Sequence, residues 1–185
     1  TNAVRDFELS GVALPEDKKK EYAKISARLS DLASQFSNNV MDSTLAFSKH
    51  VSNEAELAGL PQSALDAAMQ AAHQKDLQGY LFTLDIPSYL PIMMYSDNRE
   101  LRAQMYRAFV TRASDQDGNS ANGEAGQFDN AGIIDETLSL RHSIAILLKF
   151  DSYADYSLAT KMAENTEQVV GFLEDLAVKS KPQAI

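Results

Sequence analysis

Tyr22, Ile25, Leu29, Leu32, Phe36 and Val40 follow one another in steps of three and four. That spacing repeats once per helical turn, so it predicts a long amphipathic helix with one apolar face. Polar residues open the other face at Asp17 to Glu21. Pro15 suits the first turn, where its missing N–H costs nothing. The helix is expected to end between Asn39 and Leu45.

The rest of the chain supplies further elements. In AFSKHV, residues 46–51, Phe47, Lys49 and Val51 alternate with Ser48 and His50, which predicts a short strand. Pro61 introduces a helix over Ser63 to Gln74, with Leu65, Ala68, Met69 and Ala72 as its apolar stripe and Gly79 closing the segment. GYLFTLDI, residues 79–86, has period two and good strand formers, so it predicts a second strand. Its natural partner is 46–51, since a lone strand leaves its backbone groups unpaired. Either direction fits the connecting helix, and antiparallel pairing is favoured.

Pro87 and Pro91 would break a helix interior but are tolerated in a first turn. We therefore expect a short helix from Pro87 to Tyr95. Asp97 with Glu100 resembles a capping box for a helix from Asn98 to Ala113. That helix would bury Leu101, Met105, Ala108 and Phe109 and expose Arg99, Arg102 and Arg107. Residues 114–130 are polar with three glycines and predict a loop, either a binding loop or a solvated connector. A helix over Ala131 to Lys149 follows, carrying Ile133, Ile134, Leu138, Ile144, Leu147 and Leu148. Asp151 is expected to cap the next, which holds Tyr153, Tyr156, Leu158 and Met162. Asn165 and Gln168 are expected to cap the last, with Val169, Phe172, Leu173 and Leu176 buried. The fold class expected is mainly α: one multi-helix lobe over 1–185, with a two-stranded β element near 46–51 and 79–86.

Composition narrows the function classes. The formal net charge is −9. That disfavours nucleic acid, whose binding depends on Lys and Arg releasing counterions, and it disfavours anionic membrane. The chain has no Cys, which removes disulfides, thiol catalysis and cysteine metal sites and is compatible with a reducing cytosol. No apolar run reaches the roughly 18 residues of a membrane span.

Catalytic signatures are hard to find. His50, His73 and His142 sit in HVSNE, HQKDL and HSIAI, none of which is the H-E-x-x-H pair that places two imidazoles and a carboxylate base on one helix face. Asp76 shares a face with His73, yet two ligands do not make a zinc site. The G-x-S-x-G elbow and both glycine-rich nucleotide loops are missing. The arginines of the 98–113 helix could grip a peptide carboxylate or could simply be a solvated face. Met93 and Met94 fit core packing better than a ligand box. Glu54 and Glu56 fit helix-entry charge. The residues alone thus support a helical domain and assign no catalytic, cofactor or metal residue.

Three blocks, however, carry a specific pattern: ELAGLPQSAL, GYLFTLDIPSYLPIMMYSDNRELRAQMYRAFVTRASD and LRHSIAILLKFDSYADYSLATKMAENTEQVVGFLEDL. Together, in order from Phe7 to Pro182, they resemble the zinc metallopeptidase family of thimet oligopeptidase and bacterial oligopeptidase A. The resemblance implies a large, mostly helical, two-lobed parent with a deep channel that admits short peptides. It also implies a zinc held by an H-E-x-x-H helix and a downstream Glu, with the motif's Glu activating water. None of that motif is in this sequence, so no site residue carries over.

The chain is accordingly expected to be an N-terminal, non-catalytic fragment, inactive alone and binding no zinc itself. The resemblance further implies short peptides as the parent's substrates, the rest of the same polypeptide as a partner and a cytoplasmic location. It gives no nucleic-acid or membrane partner. Apolar surface left uncovered should drive self-association. The alternative is a free-standing helical interaction module.

Overall fold

In the computed structural model, residues 2–118 and 126–184 are described. They form eight α-helices and one two-stranded sheet, in keeping with the mainly α class expected. The contacts gather into two compact units, one of residues 1–32 with 135–185, the other of residues 33–134. Helix α2, Glu16–Ala46, begins in the first and ends in the second. Helix α6, Ala131–Leu147, does the reverse.

In the unit of residues 33–134, the chain leaves α2 and enters β1 (Lys49–Val51). A 3-10 turn, Glu54–Leu57, follows, with the Asn53 side chain accepting from the Ala55 N–H and two glutamates in its first turn. Helix α3 spans Gln62–His73 and β2 spans Tyr80–Phe82. The strands pair antiparallel, with His50 opposite Leu81 and Val51 opposite Tyr80. Both are shorter than expected, for local reasons. Ala46 still belongs to α2. Beyond Phe82, Thr83 turns inward on Ser88, whose hydroxyl accepts the Thr83 N–H, and Ile86 already starts α4. The expected in–out alternation fails too, because Tyr80, Leu81 and Phe82 are all buried. Gly79 lets the strands close up. It has φ +97, and a Cβ there would stand 2.6 Å from the Val51 carbonyl oxygen.

Helix α4, Ile86–Tyr95, places Pro87 in its first turn as expected but carries Pro91 in its interior. The missing Pro91 N–H removes the helix bond to the Pro87 carbonyl. A ten-residue helix tolerates this because Tyr89 and Ile92 anchor it in the core. Met93 packs against that core, whereas Met94 is exposed, correcting the pairing of the two as core residues.

Helix α5, Arg99–Val110, is capped by Asn98 rather than Asp97: the Asn98 carboxamide oxygen accepts from the Glu100 and Leu101 N–H groups, both at 3.1 Å. Asp97 is occupied differently, its N–H bonding to the Ala58 carbonyl at 2.8 Å. Leu101, Met105 and Ala108 are buried and Phe109 packs on them, as the spacing predicts. Val51, Leu57, Phe82, Leu84 and Ile92 complete this core. On α3, Ala68 and Ala72 are buried, but Met69 lies exposed outside the stripe. The helix stops before Gly79 is reached. Asp76 takes φ +55, and Leu77 donates to the Ala72 carbonyl, closing a Schellman cap.

The unit of residues 1–32 and 135–185 opens with α1, Asn2–Leu9. Pro15 lies just ahead of α2, where its carbonyl accepts the Lys19 N–H. Ile25 and Leu32 are the buried members of the long stripe in this unit, while Phe36, in the other unit, stays exposed. Arg28 grips Glu136 with two bonds, of 2.6 and 2.7 Å. The hydrogen bond from Arg28 holds the Glu136 carboxyl below its ordinary value.

Helix α6 ends at Leu147, two residues early, because Lys149 swings to φ +65 and the Phe150 N–H bonds to the Ala145 carbonyl. Helix α7, Tyr153–Leu158, is capped by Ser152, not Asp151; the Ser152 hydroxyl accepts from the Asp155 N–H. Met162 lies beyond it, fully exposed. Helix α8, Thr166–Ser180, has the expected cap: the Asn165 side chain accepts from Gln168 N–H, and Gln168 reaches back to Glu164 N–H. Its expected core does not form, since no α8 residue is buried. Pro182 sits in a closing 3-10 turn, Lys181–Gln183.

Candidate functional site

The three histidines do not converge. His50 is exposed on β1, its Nε2 2.6 Å from the Gln78 carbonyl oxygen, so that nitrogen carries the proton and donates. His73 is exposed at the last position of α3, over a shallow hollow lined also by Asp66, Met69 and Gln70. His142 is exposed on α6. Among the described residues, no group of three His, Cys, Asp or Glu side chains is arranged to hold a metal.

The arginines of α5 divide in two. Arg99 and Arg107 are exposed. Arg102 is half-buried, its guanidinium donating to the Ser96 carbonyl. Arg112, just past the helix, was not singled out by spacing. It lies 3.8 Å over the Phe109 ring and donates to the Thr44 hydroxyl at 3.0 Å. Phe109 in turn stacks on Tyr89 at 4.2 Å. Arg112 is thus held by packing, with its charge spread over an aromatic face. Neither it nor Arg102 presents an open fork to a ligand carboxylate.

The polar segment 114–130 turns out to be anchored where it is described; its residues 119–125 lie outside the described residues. Asp117 is 1% exposed. One of its carboxylate oxygens accepts from the Ser43 hydroxyl at 2.5 Å and from the Ala113 N–H at 3.0 Å. Asn130, also buried, accepts from the Asn39 side chain at 2.9 Å and donates to the Phe36 carbonyl at 3.2 Å. This seam fastens the C-terminal half of α2 to the chain on either side of the segment. No periodicity betrays it, because an Asp in a Gly-rich polar run looks the same whether solvated or buried.

A polar hollow lies in the other unit. It has a volume of about 490 Å³ and is lined by Asp6, Ser10, Tyr22, Tyr153, Tyr156 and Lys161, among others. Tyr156 meets the rings of Phe150 and Tyr153, each at 5.6 Å between centroids. Burial, and then the neighbouring Tyr22 phenol, push the Tyr156 hydroxyl up to about 12. It is therefore neutral at physiological pH and serves as a hydrogen-bonding group, not a base or nucleophile. The hollow can bind by ring contact and hydrogen bonds.

Among the described residues, the polar contacts named above belong to caps, ion pairs and packing. Residues 92–185, 94 of the chain's 185 and so just over half, match the model of peptidase family M3. The chain belongs to peptidase family M3. Among curated relatives, oligopeptidase A of Escherichia coli is 57% identical over 182 residues, covering 98% of this chain but 26% of that protein. The probable cytosolic oligopeptidase A of Arabidopsis thaliana is 41% identical, covering 98% of this chain and 25% of its own length. Saccharolysin of Saccharomyces cerevisiae is 30% identical, covering 97% and 23%. The chain therefore spans about a quarter of the length of the relatives it matches. The M3 match begins inside α4, one residue after Pro91, and takes in α5 to α8.

Proposed function

We propose that this chain is the N-terminal, non-catalytic segment of a zinc-dependent cytoplasmic oligopeptidase. In the intact parent it forms part of the wall of a peptide channel, or the support of that wall, and as one helical lobe it partners the catalytic remainder of the same polypeptide. The parent hydrolyses short peptides with a zinc-activated water. The segment itself binds no zinc, cleaves nothing, and self-associates through apolar surface when isolated.

The observation that carries this is the coverage: 57% identity to an oligopeptidase A over nearly all of this chain, against 26% of that relative. Two others agree with it. The sequence contains no H-E-x-x-H. Its polar clusters, the Ser43–Asp117 seam and the Tyr156 hollow, are built by packing and hydrogen bonds.

The test is metal analysis and hydrolysis of a short fluorogenic peptide by the 185-residue chain and by the product of its whole reading frame. The whole product should hydrolyse the peptide and lose that activity to a chelator, while the 185-residue chain does neither. Stoichiometric zinc on the 185-residue chain, or chelator-sensitive cleavage by it, overturns the proposal.

A further inference from the structure

Helix α8 is built as if for an interior, yet only its start is covered: Val169 is half-buried and Thr166 donates to Asp155 of α7. Val169, Phe172, Leu173 and Leu176 fall at steps of three, one and three, which aligns them on one face. Yet Phe172 is 64% exposed, Leu173 55% and Leu176 51%. Val170 on the flank and Val178 on the opposite side are exposed as well. Glu167 and Glu174 share that opposite side, and the Asp175–Lys179 ion pair at 2.6 Å lies on the other flank. Beyond Val169, solvent thus reaches both faces. Helix α5, three residues shorter, buries three side chains; α8 buries none.

A 15-residue helix gains little stability from propensity alone, and most helices in proteins are held by packing of the apolar face. The α8 sequence is nonetheless well specified as a helix. It has the Asn165–Gln168 cap at its start and a basic Lys179 in its last turn, favourable at the dipole's negative end. Strong local specification with so little packing describes a face awaiting a partner.

We infer that the α8 face, centred on Phe172, Leu173 and Leu176, is the surface on which the remaining polypeptide of the longer protein docks. The inference rests on the proposed parent enzyme and adds to it the place of attachment. Two facts favour this occupant. The matched relatives carry about three quarters of their length outside the span of this chain. The match to family M3 runs through α8 to residue 185, so α8 belongs to the family's shared body and not to a private appendage.

Hydrogen exchange by mass spectrometry on residues 166–180 tests this, in the 185-residue chain and in the full product of its reading frame. Both are diluted until sedimentation shows single chains. The expected result is fast exchange in the 185-residue chain and slowing of at least about 100-fold in the full product. Equal exchange in the two proteins overturns the inference, whether both are fast or both are slow. The two proposals fail separately: a full product that cleaves peptides in a chelator-sensitive way but leaves α8 fast overturns only the docking face. A reading frame that ends at residue 185 overturns both.

Discussion

Replacing Ser43 and Asp117, singly and together, measures what the buried seam contributes. Ser43 is fully buried and donates to a carboxylate that is itself 1% exposed. Ser43→Ala removes one charge-assisted bond, worth about 1.5–3 kcal/mol. Asp117→Ala strands the buried Ser43 hydroxyl and leaves the Ala113 N–H only a long 3.4 Å bond to the Ser43 oxygen. At about 1–3 kcal/mol for each unsatisfied group, the loss is roughly 2–6 kcal/mol, reduced because the carboxylate no longer has to be desolvated; we expect about 3.

The double variant leaves only the Ala113 N–H stranded. It should therefore cost less than the sum of the singles, with a coupling of about 1.5–3 kcal/mol. Urea unfolding followed by far-ultraviolet circular dichroism reads all three. With a slope of about 2 kcal/mol per molar, Asp117→Ala should lower the midpoint by about 1.5 M. A midpoint shift under about 0.3 M for Asp117→Ala, or singles that add without coupling, would refute the claim that this carboxylate holds α2 to the chain after α5.

Two further outcomes follow from the geometry. Gly59 has φ +88, and a Cβ there would sit 2.2 Å from the Tyr95 carbonyl oxygen, so Gly59→Ala should cost at least about 1–3 kcal/mol in urea unfolding. Glu136 has its carboxyl lowered from 4.5 by the Arg28 hydrogen bond, so the folded state binds the proton less tightly than the unfolded state. Its contribution is present above pH 4.5 and fades as pH falls through the folded value. The midpoint difference between the natural chain and Glu136→Gln should shrink on acidification and be insensitive to pH between neutral and mildly alkaline.

Where local chemistry decides the structure, the sequence was legible. The stripe on α5 and the Asn165 cap of α8 lie where their spacing puts them, because steps of three and four and cap geometry are set within one or two turns. Errors came where two local options were nearly equal. Asp97 and Asn98 can each cap a helix, and Asp151 and Ser152 likewise. The structure uses Asn98, which accepts from the Glu100 and Leu101 N–H groups, and Ser152, which accepts from the Asp155 N–H.

Non-local terms were illegible. The period-two pattern of Tyr80 to Ile86 assumed one solvated face, but β2 is covered on both. Pro91 looked confined to a first turn until the core showed that Ile92 and Tyr89 hold the helix around it. Of the candidate site, the scatter of the histidines could be read from their neighbours. The buried Asp117 and the gathering of Tyr22 with Tyr156, 134 positions apart by their numbers, could not.

The anchoring of Asp117 has a bearing on evolution at this place. The Gly126 N–H bonds to the Asp117 carbonyl, and the Asn130 N–H to the Ala113 carbonyl, so the two ends of the polar segment are tied together by their own backbone. Those bonds and the seam hold the two ends of the segment together. Lengthening that stretch then adds only about 0.6 kcal/mol for each doubling.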